Sequence, residues 1–459
     1  MNFFTFLENK IKFFRGHERS VKTKLNIIAL FFVKGYSVII NLLLIPLTLE
    51  VLGSYKYGVW ITIFNVLTWI EVFDIGLGNG LRNKFSESIA KGNIKESKEY
   101  VSTAYIIMIF LSIILLLVFY FPWSYIDWAY IFNVNEDLKG DVKNLIIILF
   151  SIVVVQFALK LINSILLALH KPAYPAFVIS VSYTIVYLVF VVFKNELNGN
   201  LLMIGVVYTI VPLIILIIFS LWMFNTHFKQ FRPSFLNFRK DKIKSLFSLG
   251  SKFFIIQIAG VIIFQTDALI ISHKLSPIEV TPYNIVFRYF GVLTMFSTLI
   301  LTPLWSSYTE AYIQKDFVWI RSIVKKQLIA LLISVPLLVL MIFFGKDIIN
   351  TWIGGEVEIS SSLLIAFSFY TFFSLLTGVF SMILGGISKV RLVMYMTFFT
   401  MVLNIPLSLF FIEYFGNKSF GVIIATSICL GITAIGNAFQ VKYFIFSKKK
   451  SPLLDKILQ

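Results

Sequence analysis

The sequence has few of the residues on which soluble enzymes and metal proteins depend. Its single cysteine, Cys429, lies in an apolar run, so neither a disulfide nor a cysteine-based metal site is supported. The four histidines are scattered without the spacing of metal ligands. No glycine-rich loop of the P-loop type occurs, and no nucleophile stands near a suitable base. We therefore expect no catalytic activity, no metal and no cofactor.

Charge is scarce as well. Only 14% of the residues are charged, against about 25% in ordinary soluble proteins. Hydrophobic residues make up 58% and aromatic residues 17%, which is typical of an integral membrane protein with many spans. A net charge of +17 would indicate nucleic-acid binding in a soluble protein. In a membrane protein the same charge orients the spans, so we expect no nucleic-acid partner.

Long apolar runs occupy most of the 459 residues. A helix needs about 20 apolar residues to cross a bilayer, and twelve runs meet this length within a few residues. They lie at 25–49, 58–81, 100–122, 144–169, 174–193, 200–224, 246–273, 283–308, 325–346, 361–386, 391–413 and 419–445. No connector is long enough for a domain outside the membrane. The sequence predicts an all-α polytopic membrane protein with twelve transmembrane helices.

A basic segment divides these runs into two sets of six. The predicted organisation is an interfacial segment, a first bundle, a cytoplasmic linker, a second bundle and a tail, at 1–24, 25–224, 225–245, 246–445 and 446–459. The first span of each set carries a lysine, which indicates the internal symmetry seen in transporters. With both termini in the cytoplasm, 29 of the 40 Lys and Arg residues lie in cytoplasmic segments or at the cytoplasmic ends of the runs, as the positive-inside rule requires.

Charged side chains inside the spans mark the candidate functional site, because an ionised group in hydrocarbon is costly unless it is paired or hydrated. The basic ones are Lys34, Lys160, Lys252 and Arg288, and the acidic ones are Glu71, Asp74 and Asp267. At about 1.5 Å rise per residue, the first-half charges Lys34, Lys160, Glu71 and Asp74 share one level in the membrane. Asp267 and Arg288 share another level, near the outer ends of their helices.

Polar residues accompany these charges at helical spacing. They are Ser37 and Asn41 beside Lys34, Gln156 and Asn163 beside Lys160, and Gln257 before Asp267. Such stripes are typical of helices that line a water-filled cavity. Alternatively, the charged residues form structural ion pairs between helices and line no cavity. Lys252 could also extend its side chain so that its ammonium group reaches the membrane surface. The surplus of basic groups favours an anion such as a diphosphate.

Three sequence motifs resemble those of a known family. YGVW at 57–60, DIGLGNGLRNK at 74–84 and YVSTAY at 100–105 resemble the O-antigen flippases of the Wzx type. These flippases belong to a wider group of multidrug exporters and lipid II flippases. The motifs are concentrated between residues 52 and 105, and the second half matches mainly by its topology.

The resemblance implies a function and a mechanism. Such proteins move an undecaprenyl-diphosphate-linked oligosaccharide across the bacterial cytoplasmic membrane, alternating between V-shaped states of two pseudo-symmetric bundles. By inference, Lys34, Lys160, Lys252 and Arg288 would engage phosphate or anionic sugars. Glu71, Asp74 and Asp267 would pair with them or couple transport to protons or sodium. Membrane lipids, a polysaccharide polymerase and a chain-length regulator are the candidate partners.

Three other classes stay open at this point. A related multidrug or metabolite exporter should favour an acidic, aromatic cavity for cations, and the basic surplus argues against it. A polytopic glycan polymerase or glycosyltransferase would usually carry a large outer loop with catalytic acids or arginines. The longest outer loop here, 123–143, has acids but no arginine. An ion channel would normally need a pore of symmetric subunits.

Overall fold

The computed structural model describes residues 18–70, 76–169, 171–247, 258, 265–387 and 389–447, and all regular elements in these ranges are helical. The α-helices are α1 (Glu18–Ile70), α2 (Leu77–Ala90), α3 (Ile94–Trp123), α4 (Trp128–Phe132), α5 (Lys139–Ala168), α6 (Ala173–Val192), α7 (Lys194–Leu197), α8 (Leu201–Asn225), α9 (Asp267–Lys274), α10 (Pro277–Ile313), α11 (Phe317–Phe343), α12 (Gly345–Ile353), α13 (Ser361–Gly386), α14 (Arg391–Tyr414) and α15 (Phe420–Val441). Helices suit this sequence because hydrocarbon offers no water to satisfy exposed backbone groups.

Ten helices in the described part are long and apolar enough to cross a membrane. Helix α1 is bent and counts as one of the ten. A straight helix of its 53 residues would be about 80 Å long, more than twice the thickness of the hydrocarbon core. Helix α1 bends at Gly53, whose φ of 70° and ψ of 164° are not helical. The sequence predicts a turn between two spans at this place. The predicted span 246–273 lies largely outside the described residues.

The region after the predicted second span forms a further helix. The sequence predicts that this span runs to residue 81, whereas a separate helix, α2, begins at Leu77 and continues to Ala90. Glu87 on α2 forms salt bridges with Lys84 at 2.9 Å and Lys91 at 2.7 Å. Hydrogen bonds from these two lysines lower the pKa of Glu87 to about 2. Residues 77–81 of the predicted span therefore belong to a separate helix, whose later residues are charged.

Polar side chains begin many of the helices by capping their first backbone N–H groups. Asn93 accepts a hydrogen bond from the Glu96 N–H at the start of α3, and Asp316 accepts one from the Trp319 N–H at the start of α11. Side chains also cap α4, α8 and α13 in this way. Each cap satisfies a donor that the helix itself leaves unpaired.

The chain forms two compact units. Unit 1 comprises Met1–Leu47, Phe73–Tyr125 and Ile147–Phe253. In its described part, α2 packs on α3 and α6 packs on α8. The segment that follows α8 forms two short 3₁₀ turns, Lys229–Phe231 and Phe235–Asn237, which lie against α3.

Unit 2 comprises Thr48–Val72, Ile126–Ile146 and Phe254–Gln459. In its described part, α15 packs on α13 and α14, and α13 also packs on α10. A buried apolar cluster joins α10, α11, α13 and α15 to a π-helical turn, Lys442–Phe446. Its members include Leu301, Tyr308, Ile320, Val324, Ile383, Leu384 and Phe444. This core fixes α10, which carries the cavity described below.

Candidate functional site

Four of the sequence-predicted site residues lie outside the described part of the chain. They are Glu71, Asp74, Lys252 and Gln257. Of the four first-half charges, the structure therefore places only Lys34 and Lys160. Their meeting with Glu71 and Asp74 at one level stays a prediction.

Helix α1 carries the predicted polar stripe of the first half. Lys34 is exposed, while Ser37 and Asn41 are half-buried. The Asn41 side-chain amide donates a hydrogen bond of 2.7 Å to the Ser37 carbonyl, one turn earlier. The spacing of three and four residues keeps these groups on one side of the helix.

Helix α5 carries the second predicted stripe, with a different environment at each position. Gln156 is buried, and its amide donates to the Thr209 carbonyl of α8 at 3.3 Å. Lys160 and Asn163 are half-buried. The buried side-chain oxygen of Asn163 has no hydrogen-bond partner. In this structure Gln156 thus links two helices, whereas Asn163 keeps an unsatisfied acceptor.

Unit 2 contains a polar cavity of about 180 Å³. It is lined by Ile61, Phe64 and Asn65 of α1, by Gln265, Asp267 and Ala268 at the start of α9, and by Val280, Tyr283, Asn284, Phe287 and Arg288 of α10. The structure thereby brings the predicted charges Asp267 and Arg288 to one cavity. The surrounding amides and aromatic rings were not among the sequence-predicted site residues.

Asp267 is the buried charge of this cavity. The Tyr283 hydroxyl donates to its Oδ2 atom at 2.5 Å, and the Thr426 hydroxyl donates to the same atom at 3.5 Å. Its other oxygen, Oδ1, is buried without a hydrogen-bond partner. Within the described part of the chain, no salt bridge joins Asp267 to Arg288. The described contacts of the Asp267 carboxylate are therefore hydrogen bonds from hydroxyl groups of α10 and α15.

Arg288 is exposed at the cavity wall, one helical turn after Asn284. The side-chain oxygen of Asn284 accepts a hydrogen bond of 3.2 Å from the buried Tyr57 hydroxyl. This contact brings the YGVW motif of α1 against α10. The neighbour of the Arg288 guanidinium one turn earlier is a neutral amide and not a carboxylate. The guanidinium can therefore bind a phosphate or carboxylate from a substrate without a competing acid on that turn.

A second layer of polar groups lies behind Asp267. The Asn404 side-chain amide of α14 donates to the Thr426 hydroxyl at 3.0 Å. Asn404 is fully buried, and its Oδ1 atom has no hydrogen-bond partner. Buried acceptors that lack partners are rare and call for an explanation, such as a bound ion, proton or water. Among the described residues, no three His, Cys, Asp or Glu side chains are grouped to hold a metal.

Sequence reasoning missed these neutral groups for identifiable reasons. Asn284 lies four residues before Arg288, so helical spacing could have marked it. Asn404 and Thr426 lie in apolar runs without a nearby charge. Only the packing of α14 and α15 against α9 shows that they belong with Asp267.

Comparison with known protein families gives two matches. Residues 24–309 match the family described as polysaccharide biosynthesis protein, and residues 253–410 match the MatE family. A Salmonella typhi protein described as an O-antigen transporter is 22% identical over 355 residues, which cover 77% of this chain and 81% of that protein. A Yersinia pseudotuberculosis protein described as an O-antigen export protein is 26% identical over 364 residues, with the same coverage.

Solved structures show the same fold. An inward-facing multidrug resistance transporter of the MATE family, from the MOP superfamily, superposes with a TM-score of 0.73 at 14% identity. The match covers 90% of this chain and 97% of that one. The lipid II flippase MurJ, in an inward closed conformation, superposes with a TM-score of 0.70 at 18% identity, covering 90% and 87%. With its candidate spans and its relatives, the chain is a multi-pass protein of the bacterial inner membrane.

Proposed function

Because the chain belongs to the polysaccharide biosynthesis protein family, we propose that it flips an undecaprenyl-diphosphate-linked oligosaccharide across the cytoplasmic membrane by alternating access. The observation that carries the proposal is the match, over 77% of the chain, to relatives described as O-antigen transport and export proteins. An O-antigen or similar polysaccharide repeat unit is the substrate that these descriptions favour.

The physical task calls for a polar path through the membrane. A diphosphate and several sugars cannot cross hydrocarbon unaided, because unsatisfied polar groups there cost several kcal/mol each. The polyprenyl tail can stay in lipid throughout. The protein therefore has to supply only a polar path that opens to each side in turn. Arg288, Asn284 and Gln265 provide a cation and two amides along one wall of such a path.

The predicted site residues take the following roles in this proposal. Lys34, Lys160, Lys252 and Arg288 bind the diphosphate or anionic sugars, and Ser37, Asn41, Gln156, Asn163 and Gln257 line the polar path. Glu71, Asp74 and Asp267 pair with these cations or bind the coupling ion. The exposure of Lys34 and Arg288 supports their access to an anion.

Asp267 is the described residue best suited to bind a coupling proton or sodium ion. Its Oδ1 atom and the Oδ1 atom of Asn404 are both buried without hydrogen-bond partners. The Thr426 hydroxyl links the two side chains, accepting from Asn404 and donating to Asp267. Oxygen ligands of this kind suit a hard cation, and a lone carboxylate is equally suited to a proton.

The finer architecture belongs to the same proposal. Twelve spans form two six-helix bundles, 25–224 and 246–445, which rock as a V around the substrate. The termini and the basic linker 225–245 face the cytoplasm, as the distribution of Lys and Arg indicates. A polysaccharide polymerase and a chain-length regulator would receive the flipped unit.

Complementation tests the function directly. A bacterium that lacks its own flippase would carry the wild type, Lys34→Ala, Asp74→Ala or Arg288→Ala at equal membrane abundance. We expect the wild type to restore surface polysaccharide, and the variants to retain lipid-linked precursor on the cytoplasmic side. The matched control is Arg82→Ala, since Arg82 is an exposed arginine of α2 that is not among the residues lining the cavity.

The outcomes separate function from site. If the wild type clears no precursor in any host with a defined repeat unit, the flippase proposal is wrong. If the wild type and all three variants clear it equally well, flipping stands and the charged path does not.

A multidrug exporter is the second candidate function. The match of residues 253–410 to the MatE family favours it, because this range includes Asp267 and most of the cavity wall. An exporter should raise resistance to cationic drugs in a host that lacks its own pumps. Raised resistance without precursor clearance would replace the flippase proposal.

A further inference from the structure

The linker 225–245 carries at its middle an apolar tip, Phe235 and Leu236, that no described part of the chain covers. Phe235 and Leu236 form a 3₁₀ turn with Asn237, and their exposed fractions are 81% and 89%. By contrast, Phe228 and Phe231 of the same linker are buried. Adjacent large apolar side chains that a protein leaves outside its core commonly mark a contact surface.

The tip is clamped on both sides and is therefore not a loose loop. Before it, the Ser234 N–H donates to the Ser102 hydroxyl at 3.1 Å. After it, the Arg239 N–H donates to the Thr103 hydroxyl at 3.0 Å. Ser102 and Thr103 are fully buried on α3. The two anchors, five residues apart, force the turn between them to project outward.

Ion pairs and an aromatic contact strengthen the attachment. Lys242 contacts Glu96 at 2.8 Å and Arg239 contacts Glu99 at 3.4 Å. The hydrogen bond to Glu96 raises the pKa of Lys242. The rings of Phe85 and Phe231 meet edge to face, with centroids 5.0 Å apart. The linker is thus built onto unit 1 as a rigid arm with an apolar end.

The charge around the tip is strongly positive. The linker carries six Lys and Arg residues and a single acid, Asp241. Lys229, Arg232, Lys240 and Lys244 are exposed, in addition to Arg239. Basic residues beside apolar ones are the composition that binds anionic lipid headgroups while the apolar groups enter the acyl region.

The position of the tip also favours a membrane. The linker begins at Asn225, the last residue of the candidate span α8, so Phe235 is only ten residues from a membrane helix. A stable protein interface needs about 20–30 residues on each side, far more than the two apolar side chains available here. A bilayer surface needs no such complementary area.

We propose that the linker 225–245 is a membrane anchor, in which Phe235 and Leu236 insert into the adjacent leaflet and the surrounding lysines and arginines bind anionic lipid headgroups. The anchor would hold unit 1 at a fixed depth in the membrane surface. The proposal does not depend on the transported substrate.

Fluorescence in lipid nanodiscs tests the proposal. Cys429 is buried and is the only cysteine, so Cys429→Ala gives a background for single-cysteine labelling. Leu236→Cys would carry an environment-sensitive NBD group, with Asp241→Cys as the control from the same linker. In nanodiscs containing phosphatidylglycerol, we expect blue-shifted NBD emission at 236 that nitroxide-labelled acyl chains quench several-fold. At 241 we expect water-like emission that aqueous iodide quenches.

A second comparison tests whether insertion of the tip requires anionic lipid. In nanodiscs of phosphatidylcholine alone, and with Arg232→Gln/Lys240→Gln in anionic nanodiscs, insertion at 236 should weaken several-fold. Native mass spectrometry of the unlabelled protein should show fewer retained phosphatidylglycerol molecules in Phe235→Ser/Leu236→Ser than in the wild type. This second measurement keeps the test valid if the cysteine-free background folds poorly.

Three results would overturn the anchor. The first is a label at 236 that stays in water in anionic nanodiscs, and the second is insertion that is equal in neutral and anionic lipid. The third is burial of the label only in native membranes, which would assign the tip to a protein partner.

Discussion

At the scale of single residues, the described charges of the membrane region differ in how well their surroundings satisfy them. Lys34 and Arg288 are exposed, which is what a transient anion contact requires. Asp267 is 6% exposed, and one of its oxygens has no hydrogen-bond partner. A buried carboxylate with one satisfied oxygen is stable only if a proton or cation neutralises it, because an isolated charge is costly there. This asymmetry makes Asp267 the residue at which ion coupling should be tested.

Replacing Asp267 with asparagine should uncouple transport while keeping the shape of the site. The amide cannot bind a proton or hold a cation with a full negative charge. We expect precursor clearance to slow at least about tenfold, the factor that corresponds to about 1.4 kcal/mol of lost ion binding. The residual rate should no longer respond to sodium concentration or to pH, measured in vesicles with controlled ion gradients.

Tyr283→Phe is the matched control for this prediction. It removes the donor to Asp267 but keeps the charge. We expect it to lower the free energy of unfolding by about 1–3 kcal/mol, the cost of leaving a buried acceptor unsatisfied. Transport should still depend on the ion. An ion response that survives Asp267→Asn would remove Asp267 from the coupling mechanism.

At the scale of elements, the contact between α1 and α10 depends on a residue without a side chain. A Cβ atom on Gly58 would overlap the backbone carbonyl oxygen of Pro277. Beside it, the Thr281 hydroxyl donates to the Ser54 carbonyl at 2.5 Å. Backbone cannot yield as a flexible side chain can, so a methyl group must push the two helices apart.

Gly58→Ala should therefore destabilise the protein, although alanine is the better helix former. We expect a loss of about 1–3 kcal/mol from overpacking. Gly35→Ala in the same helix is the control, because nothing lies within 4 Å of its Cβ position. That change should be neutral or stabilising by up to about 1 kcal/mol. Thermal unfolding of the purified proteins in detergent measures both, and equal midpoints would contradict the close approach.

The short helix α4 should respond to acid. Asp127 caps it, and hydrogen bonding from the Tyr130 N–H, with help from Lys139, lowers the pKa of Asp127 below its ordinary value of 3.8. A lowered pKa in the folded state contributes stability above 3.8, and this stability is lost as the pH falls through the folded value. We expect pepsin to cleave residues 128–134 faster as the pH falls below 3.8. Asp127→Asn, which keeps an acceptor but no charge, should show a flatter dependence.

Hydropathy predicts well where the helices lie in the sequence, and it predicts poorly which helices and side chains pack against each other. The apolar runs and the turn near Gly53 follow from the sequence because a bilayer dictates span length. The placement of Asp267 beside Arg288 follows from counting residues along two antiparallel spans. The hydroxyl groups that hold Asp267, and the clamp of the linker on Ser102 and Thr103, do not follow. They depend on how helices distant in the sequence pack, and apolar periodicity carries no information about that packing.

At the scale of the whole molecule, the proposed cycle requires contacts between the two halves of the sequence to break. Tyr57 with Asn284, and Ser54 with Thr281, join the first half to α10. Both contacts lie inside the compact unit 2, so they open during the cycle only if the moving bodies are the proposed bundles 25–224 and 246–445 and not the compact units. A cleavable bis-maleimide between cysteines at 54 and 281, in the Cys429→Ala background, should then arrest the cycle. Reductive cleavage of the cross-linker should restore it.

The control is a cross-link inside one bundle. Thr400 and Thr433 have hydroxyl groups 3.4 Å apart on α14 and α15, which the proposal treats as one moving body. A cross-link there should leave precursor clearance intact, because no relative motion is asked of these helices. If the 54–281 link leaves clearance unchanged as well, rocking at this contact is not part of transport. If both links stop it, the moving body is smaller than a six-helix bundle, since α14 and α15 must then move against each other.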